Sequence, residues 1–156
     1  GALELAARPG GPVILMHMVG DPRTMQNDPR YGDVVAEVIA FLRARVAAAE
    51  AAGVRDIWVD PGIGFGKTLA HNLALLNAIA RIRDEVGRPV LIGASRKRFI
   101  QAIDVRATDA SKQRLGGSVA AALIAAQNGA AMVRVHDVAE TVQALMVRRA
   151  VGKEAR

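Results

Sequence analysis

Short apolar runs recur four times along this chain, each followed by a longer segment of helical character, and that alternation narrows the possible folds sharply. The runs Pro12–Met16, Asp56–Val59, Pro89–Ile92 and Met132–Val135 are rich in Val, Ile and Leu and end in polar or glycine-rich sequence. Continuous rather than alternating apolar character predicts parallel strands buried on both faces, and parallel strands need helical crossovers. The 3.6-residue apolar period predicts helices over Asp33–Ala52, Asn72–Val86 with a stop at Gly87, Gly116–Gln127 closing at Asn128-Gly129, and Ala139–Ala150. Two α/β architectures accommodate four such units: a doubly wound open sheet, or part of a (β/α)8 barrel, which in full takes ~250 residues. At 156 residues the chain has room for one domain. Ala2–Ala7 reads as the tail of a helix whose strand lies upstream.

Composition removes several classes of function. The chain has no cysteine, which excludes disulfide frameworks and thiol nucleophiles. Aromatic residues make up 3%, so the core must be aliphatic. The net charge of +6 is spread over scattered arginines without like-charge blocks or interleaved aromatics, so no nucleic-acid partner is expected. The longest apolar run, Val119–Ala126, is far short of the ~20 residues a membrane span needs. No signal peptide is visible, and a cytoplasmic location is expected.

The polar residues that follow the four runs carry the chemistry, because parallel α/β folds bind ligands at the carboxyl ends of their strands. They are Met16-His17-Met18, Asp60-Pro61-Gly62-Ile63-Gly64-Phe65-Gly66-Lys67, Gly93-Ala94-Ser95-Arg96-Lys97 and Arg134-Val135-His136-Asp137. Asp60 is either a turn carboxylate or an acceptor for paired N–H donors of a heterocycle, since an ionised carboxylate only accepts. Gly66-Lys67-Thr68 matches the end of a phosphate-binding loop, but Pro61 stands where its first glycine belongs. Arg96 reads as a surface charge, while Lys97 lies just past a strand aimed at the cleft. Arg134 and His136, two apart on a strand, share a face and suit a phosphate or pyrophosphate; alone, His136 reads as a structural histidine. His17, His71 and His136 show no metal-site spacing.

In order and spacing these four motifs, with Leu115-Gly116-Gly117-Ser118, resemble dihydropteroate synthase over about residues 2–150. The resemblance implies a (β/α)8 TIM barrel of which this chain is the carboxyl-terminal half, four β/α units corresponding to strands five to eight. Residues 1–150 would form the half-barrel and 151–156 a tail. It implies a cytoplasmic transferase of folate biosynthesis, the target class of sulfonamides. The enzyme joins para-aminobenzoate to 6-hydroxymethyl-7,8-dihydropterin diphosphate and releases pyrophosphate. By resemblance Asp60 binds the pterin's amino-pyrimidine edge, Lys97 contacts its ring, Gly93 lines its slot, and Met16 and Phe65 pack nearby. Arg134 and His136 hold the diphosphate, and Ser95 and the helix start after Lys97 lie near the aminobenzoate. Arg98 stands where some members carry serine. Magnesium is implied as cofactor with its protein ligand in the other half, no metal ligand is assigned to this chain, and a homodimer is expected. Two alternatives stand beside this reading. One is the pterin-binding module of a methyltetrahydrofolate-dependent methyltransferase, which has no need of an Arg134–His136 anion pair. The other is a non-catalytic half-barrel. In either case a half-barrel leaves apolar strand surface that its other half would cover, because Val13, Leu15, Ile57, Val59, Leu91, Met132 and Val133 cannot all be satisfied by four helices on one side.

Overall fold

The β-branched runs do form strands, and all run in one direction. The computed structural model describes residues 12–21, 23–110 and 112–154; the helix tail expected at Ala2–Ala7 lies outside them. Strand β1 (Val13–Met16) pairs in parallel with β2 (Ile57–Asp60), in the register Val13↔Ile57 to Met16↔Asp60. A parallel bridge from Val59 to Val90 leads to β3 (Leu91–Ile92), which pairs in parallel with β4 (Met132–Val133). Sequence order is thus spatial order, with helices as the crossovers, as in consecutive units of a barrel.

Helix α1 (Val34–Ala51) starts where its sequence says it should. Asp33 accepts from the Val35 and Ala36 N–H groups, and the Glu37 carboxylate reaches back to those of Gly32 and Asp33. Its apolar stripe, Val34, Val35, Val38, Ile39, Leu42 and Val46, is buried. The helix expected over Asn72–Val86 is instead two, α2 (Leu69–Asn77) and α3 (Ile79–Val86). The apolar period runs through the break because Leu75, Leu76, Ile79 and Ile82 all face the core. Only the doubled hydrogen bonding of Ala78 N–H, to Ala74 O and Leu75 O, marks the junction. Helix α2 begins earlier than expected because Thr68 and His71 form a reciprocal cap. A short helix α4 (Arg98–Ile103) follows β3 and begins directly after Lys97, where a helix start is expected, though it is too brief for periodicity to fix its length. Helices α5 (Leu115–Gln127) and α6 (Val138–Glu154) complete the chain, and α6 carries helix through residues expected to be tail.

The two sheet faces differ in what covers them. Side chains two apart share a face, and the side carrying Val13, Leu15, Ile57, Val59, Ile92 and Val133 packs against the helices in an almost wholly aliphatic core. The open face carries the alternate set. Ile14 and Met132 are 46% and 45% exposed there, and Met16, opposite Asp60, is half-buried. Of the seven residues that cannot all be covered, Met132 is exposed, Val13, Leu15 and Val133 are half-buried, and Ile57, Val59 and Leu91 are at most 2% exposed.

Candidate functional site

Asp60 closes β2 and is 2% exposed. Its Oδ1 accepts the Gly62 N–H at 2.7 Å, so one oxygen is a turn carboxylate, as the simpler reading had it. The other, Oδ2, faces Arg134 Nη2 at 3.7 Å across the open face. Burial pushes the carboxyl up from its ordinary value, and the Gly62 N–H, Arg134, Lys97 and Lys67 act against that push.

The loop after Asp60 is built by backbone conformation and by its neighbours. Gly62 has φ +74°, and a Cβ there would stand 1.9 Å from the His17 carbonyl oxygen. Asn72, itself buried, accepts the Gly64 N–H at 2.7 Å, and the Tyr31 hydroxyl donates to Gly66 O at 3.0 Å. The loop so held presents the Phe65 ring, and Lys97 Nζ sits 3.9 Å from its centroid, a cation–π contact. Burial lowers the Lys97 ammonium from its ordinary value.

Beyond Lys97 lies a cavity of about 250 Å³ lined by Gly93, Ser95, Lys97, Arg134, Val135 and His136. The Arg134 guanidinium lies over the Gly93 backbone, with Nη2 2.9 Å from where a Cβ would stand. Strand β4 ends at Val133, short of the expected Val135, yet the Arg134 N–H still donates to Ile92 O and keeps the strand's direction. Arg134 and His136 accordingly line one cavity. The His136 ring Nδ1 lies 3.0 Å from the buried Ser95 hydroxyl. A second hollow, about 260 Å³, opens on the other side of Lys97, with Gly64, Asn72, Arg98 and Phe99 in its wall.

All eight residues singled out from sequence (Met16, Asp60, Phe65, Gly93, Ser95, Lys97, Arg134 and His136) thus come to the carboxyl end of one sheet. Chemically the arrangement is one buried carboxylate acceptor beside a cavity lined by Lys97 and Arg134. It suits a planar heterocycle with paired donors joined to an anionic group.

A family model for pterin binding enzymes matches residues 1–136. The chain belongs to the pterin-binding enzyme family. It is 48% identical over 150 residues to the dihydropteroate synthase of Escherichia coli (strain K12), covering 94% of this chain and 51% of that protein. The crystal structure of dihydropteroate synthase from Stenotrophomonas maltophilia superposes with a TM-score of 0.91 at 52% identity, over 97% of this chain and 57% of the other. That of Xanthomonas albilineans in complex with 7,8-dihydropteroate does so with 0.87 at 49%, over 97% and 55%. The chain therefore spans about half the length of the relatives it matches, and its fold is about half of the family's (β/α)8 barrel.

Within this pterin-binding fold, several residues with no site role assigned from sequence hold the site together. Arg96, read from sequence as a surface charge, adopts φ +60° and pairs with Asp137 through Nη2–Oδ1 at 2.5 Å and Nε–Oδ2 at 3.2 Å, tying the turn after β3 to the turn after β4. The Arg96 side chain holds the Asp137 carboxyl below its usual range. Ser118 Oγ accepts the Arg96 N–H, and Arg114 Nη1 donates to Arg96 O at 3.0 Å. Arg114 is 5% exposed and donates also to Ala107 O, Thr108 O and Gln101 Oε1. Nothing local distinguishes it from the solvated arginines. Lys67, the end of the near-miss phosphate loop, is 4% exposed and its ammonium is spent on protein partners, so it is no phosphate lysine. Magnesium has no ligand set here: among the described residues no three His, Cys, Asp or Glu side chains gather, and Asp60 faces an N–H and a guanidinium.

Proposed function

We propose that this chain is the diphosphate-handling half of a dihydropteroate synthase. The observation that carries this is the cavity where Lys97, Arg134 and His136 meet beside the buried Asp60 carboxylate. Asp60 Oδ2 accepts from the donor edge of the pterin, Phe65 and Met16 flank its plane, and Lys97 lies against the ring. Arg134 and His136 face the diphosphate. The exocyclic carbon–oxygen bond breaks with its electron pair passing to pyrophosphate. The amine of para-aminobenzoate supplies the pair for the new carbon–nitrogen bond and then releases a proton. Cations fixed beforehand at the departing oxygens stabilise the charge as it develops, and a walled slot orients a weakly nucleophilic aniline. Ser95 and Arg98, at the turn into α4, border the place left for the aminobenzoate, the position at which sulfonamides would compete. Magnesium, in this reading, is held by groups outside this chain. A pterin-binding methyltransferase module would also use Asp60, but it gives no reason for Arg134 and His136 to share a cavity. Folate synthesis also supports reading the chain as cytoplasmic, and its scattered charge without like-charge blocks supports reading it as having no nucleic-acid partner; separately, no described helix is long and apolar enough to cross a membrane.

Arg134→Ala tests this reading. Calorimetry on the chain should show roughly ten- to hundredfold weaker binding of the pterin diphosphate, as expected for losing a charge-assisted contact of about 1.5–3 kcal/mol. Binding of the phosphate-free pterin should change little. Equal losses for both ligands would place Arg134 in the scaffold.

A second copy of the chain belongs to the same proposal. Helices α5 and α6 leave Leu115, Ile124, Val142, Met146, Val147 and Val151 exposed, Met146 by 67%. Apolar faces of this kind mark association surfaces. Sedimentation at micromolar concentration should give a dimer or larger species, and a compact 16.5 kDa monomer would count against it.

A further inference from the structure

The mechanism above leaves one buried charge without a task. Lys67 is 4% exposed, and its ammonium donates to His17 Nδ1 at 3.0 Å and to the Phe65 carbonyl at 2.9 Å. His17 is equally buried, stands just after β1, and has Phe41 edge-on at 4.9 Å. A lysine ammonium has only donors, so the ring nitrogen it meets must be an unprotonated acceptor. The two residues therefore bolt the glycine loop to the end of the neighbouring strand. The bolt lies under the site: a Cβ on Gly62 would be 3.4 Å from Lys67 Nζ, and the Phe65 carbonyl it holds belongs to the residue whose ring carries Lys97.

We propose that Lys67 is a positioning residue: by donating at once to His17 Nδ1 and Phe65 O it fixes the loop that presents Asp60 and Phe65, and through Phe65 it sets the place of Lys97. A buried ammonium is an expensive way to tie a loop. It earns a reason if a cation is wanted there, and Asp60 is near enough that its charge favours the protonated lysine. Lys67 is thus a third cation at the Asp60 carboxylate, after Arg134 and Lys97, and the one held entirely by protein atoms. Burial, and then the charge of Lys67, lower His17 to about 4, and burial lowers Lys67 to about 8. The charged or titratable groups facing the pair are Asp60 from β2, Lys97 from the turn after β3, Glu37 from α1 and Tyr31 from the segment before α1, its ring 6.1 Å from that of His17.

The consequence for pterin binding rests on the function proposed above, but the bolt itself is tested without ligand. Histidine ring and lysine side-chain NMR on the 156-residue chain, wild type against Lys67→Met, reads it directly. In the wild type His17 should be the neutral Nε2–H form with Nδ1 accepting, and the ε-methylene of Lys97 should be shielded by the Phe65 ring. In Lys67→Met the His17 midpoint should rise by about one pH unit or more as the like charge is removed, and the Lys97 shielding should be lost. If the variant does not fold, the wild type still decides: His17 Nδ1 should shift in a step near pH 8 as Lys67 gives up its proton. An unmoved His17 midpoint with Lys97 still shielded, or no step near pH 8, overturns the proposal. Failure of the wild-type chain to bind a pterin would instead count against the proposed function.

Discussion

Asparagine in place of Asp60 should leave the glycine loop standing and cost pterin affinity about a hundredfold or more. Asparagine keeps an oxygen where Asp60 Oδ1 accepts the Gly62 N–H, so the turn retains its internal bond. What it brings to the other position is an NH2 group, a donor facing the donors of the heterocycle and Arg134. Each charge-assisted bond lost is worth about 1.5–3 kcal/mol, and a site left with opposed donors loses more than the bond alone. Titrating a phosphate-free pterin into both proteins by calorimetry checks this, with the thermal melt as control for the fold. Undiminished affinity would show that the carboxylate serves only the turn.

Alanine at Gly62 should do the opposite, disturbing the structure itself. The residue has φ +74°, where an L side chain is strained, and its Cβ would fall 1.9 Å from the His17 carbonyl oxygen. That oxygen belongs to backbone at the end of β1, beside the His17 N–H bond to Asp60 O, and has no flexible side chain to yield. Gly87 offers the control, with φ +69° and nothing within 4 Å of its would-be Cβ. Gly87→Ala should cost about 1–2 kcal/mol for the left-handed backbone alone. Gly62→Ala should cost on the order of 3 kcal/mol or more, because a backbone clash adds to it. In a chain of this size that is a fall in melting temperature of roughly 6–12 °C. Equal falls for the two variants would mean that the loop moves aside without cost.

What could be read from the residues alone is what local chemistry determines. Four Val/Ile/Leu runs with intervening 3.6-residue periods were enough for a parallel α/β fold, because strand burial and helix amphipathicity are written into neighbouring residues. Asp33 before α1 and Gly87 after α3 were legible for the same reason. The eight candidate residues lie at strand ends or within five residues of them, and parallel strands bring such ends together; the pterin-side roles of Met16, Phe65 and Gly93 came from the family resemblance.

Contacts between distant segments were not legible. Lys67 and His17 are 50 residues apart, and Arg96 and Asp137 are 41 apart. Which lysine is buried and which arginine braces a turn depends on strand order and register, and scattered basic residues look alike in one dimension. Met16 faces Asp60 only because β1 pairs with β2 in that register. A shift of one residue would turn Met16 to the helices and Leu15 to the site. The same period of two put Val13, Leu15, Ile57 and Val59 in the core when the runs, apolar on both faces, could not say which side was open. Local sequence decided which elements form and which polar groups stand at their ends; tertiary pairing decided which of those groups meet, because long-range contacts are fixed by register and packing that neighbouring residues do not encode.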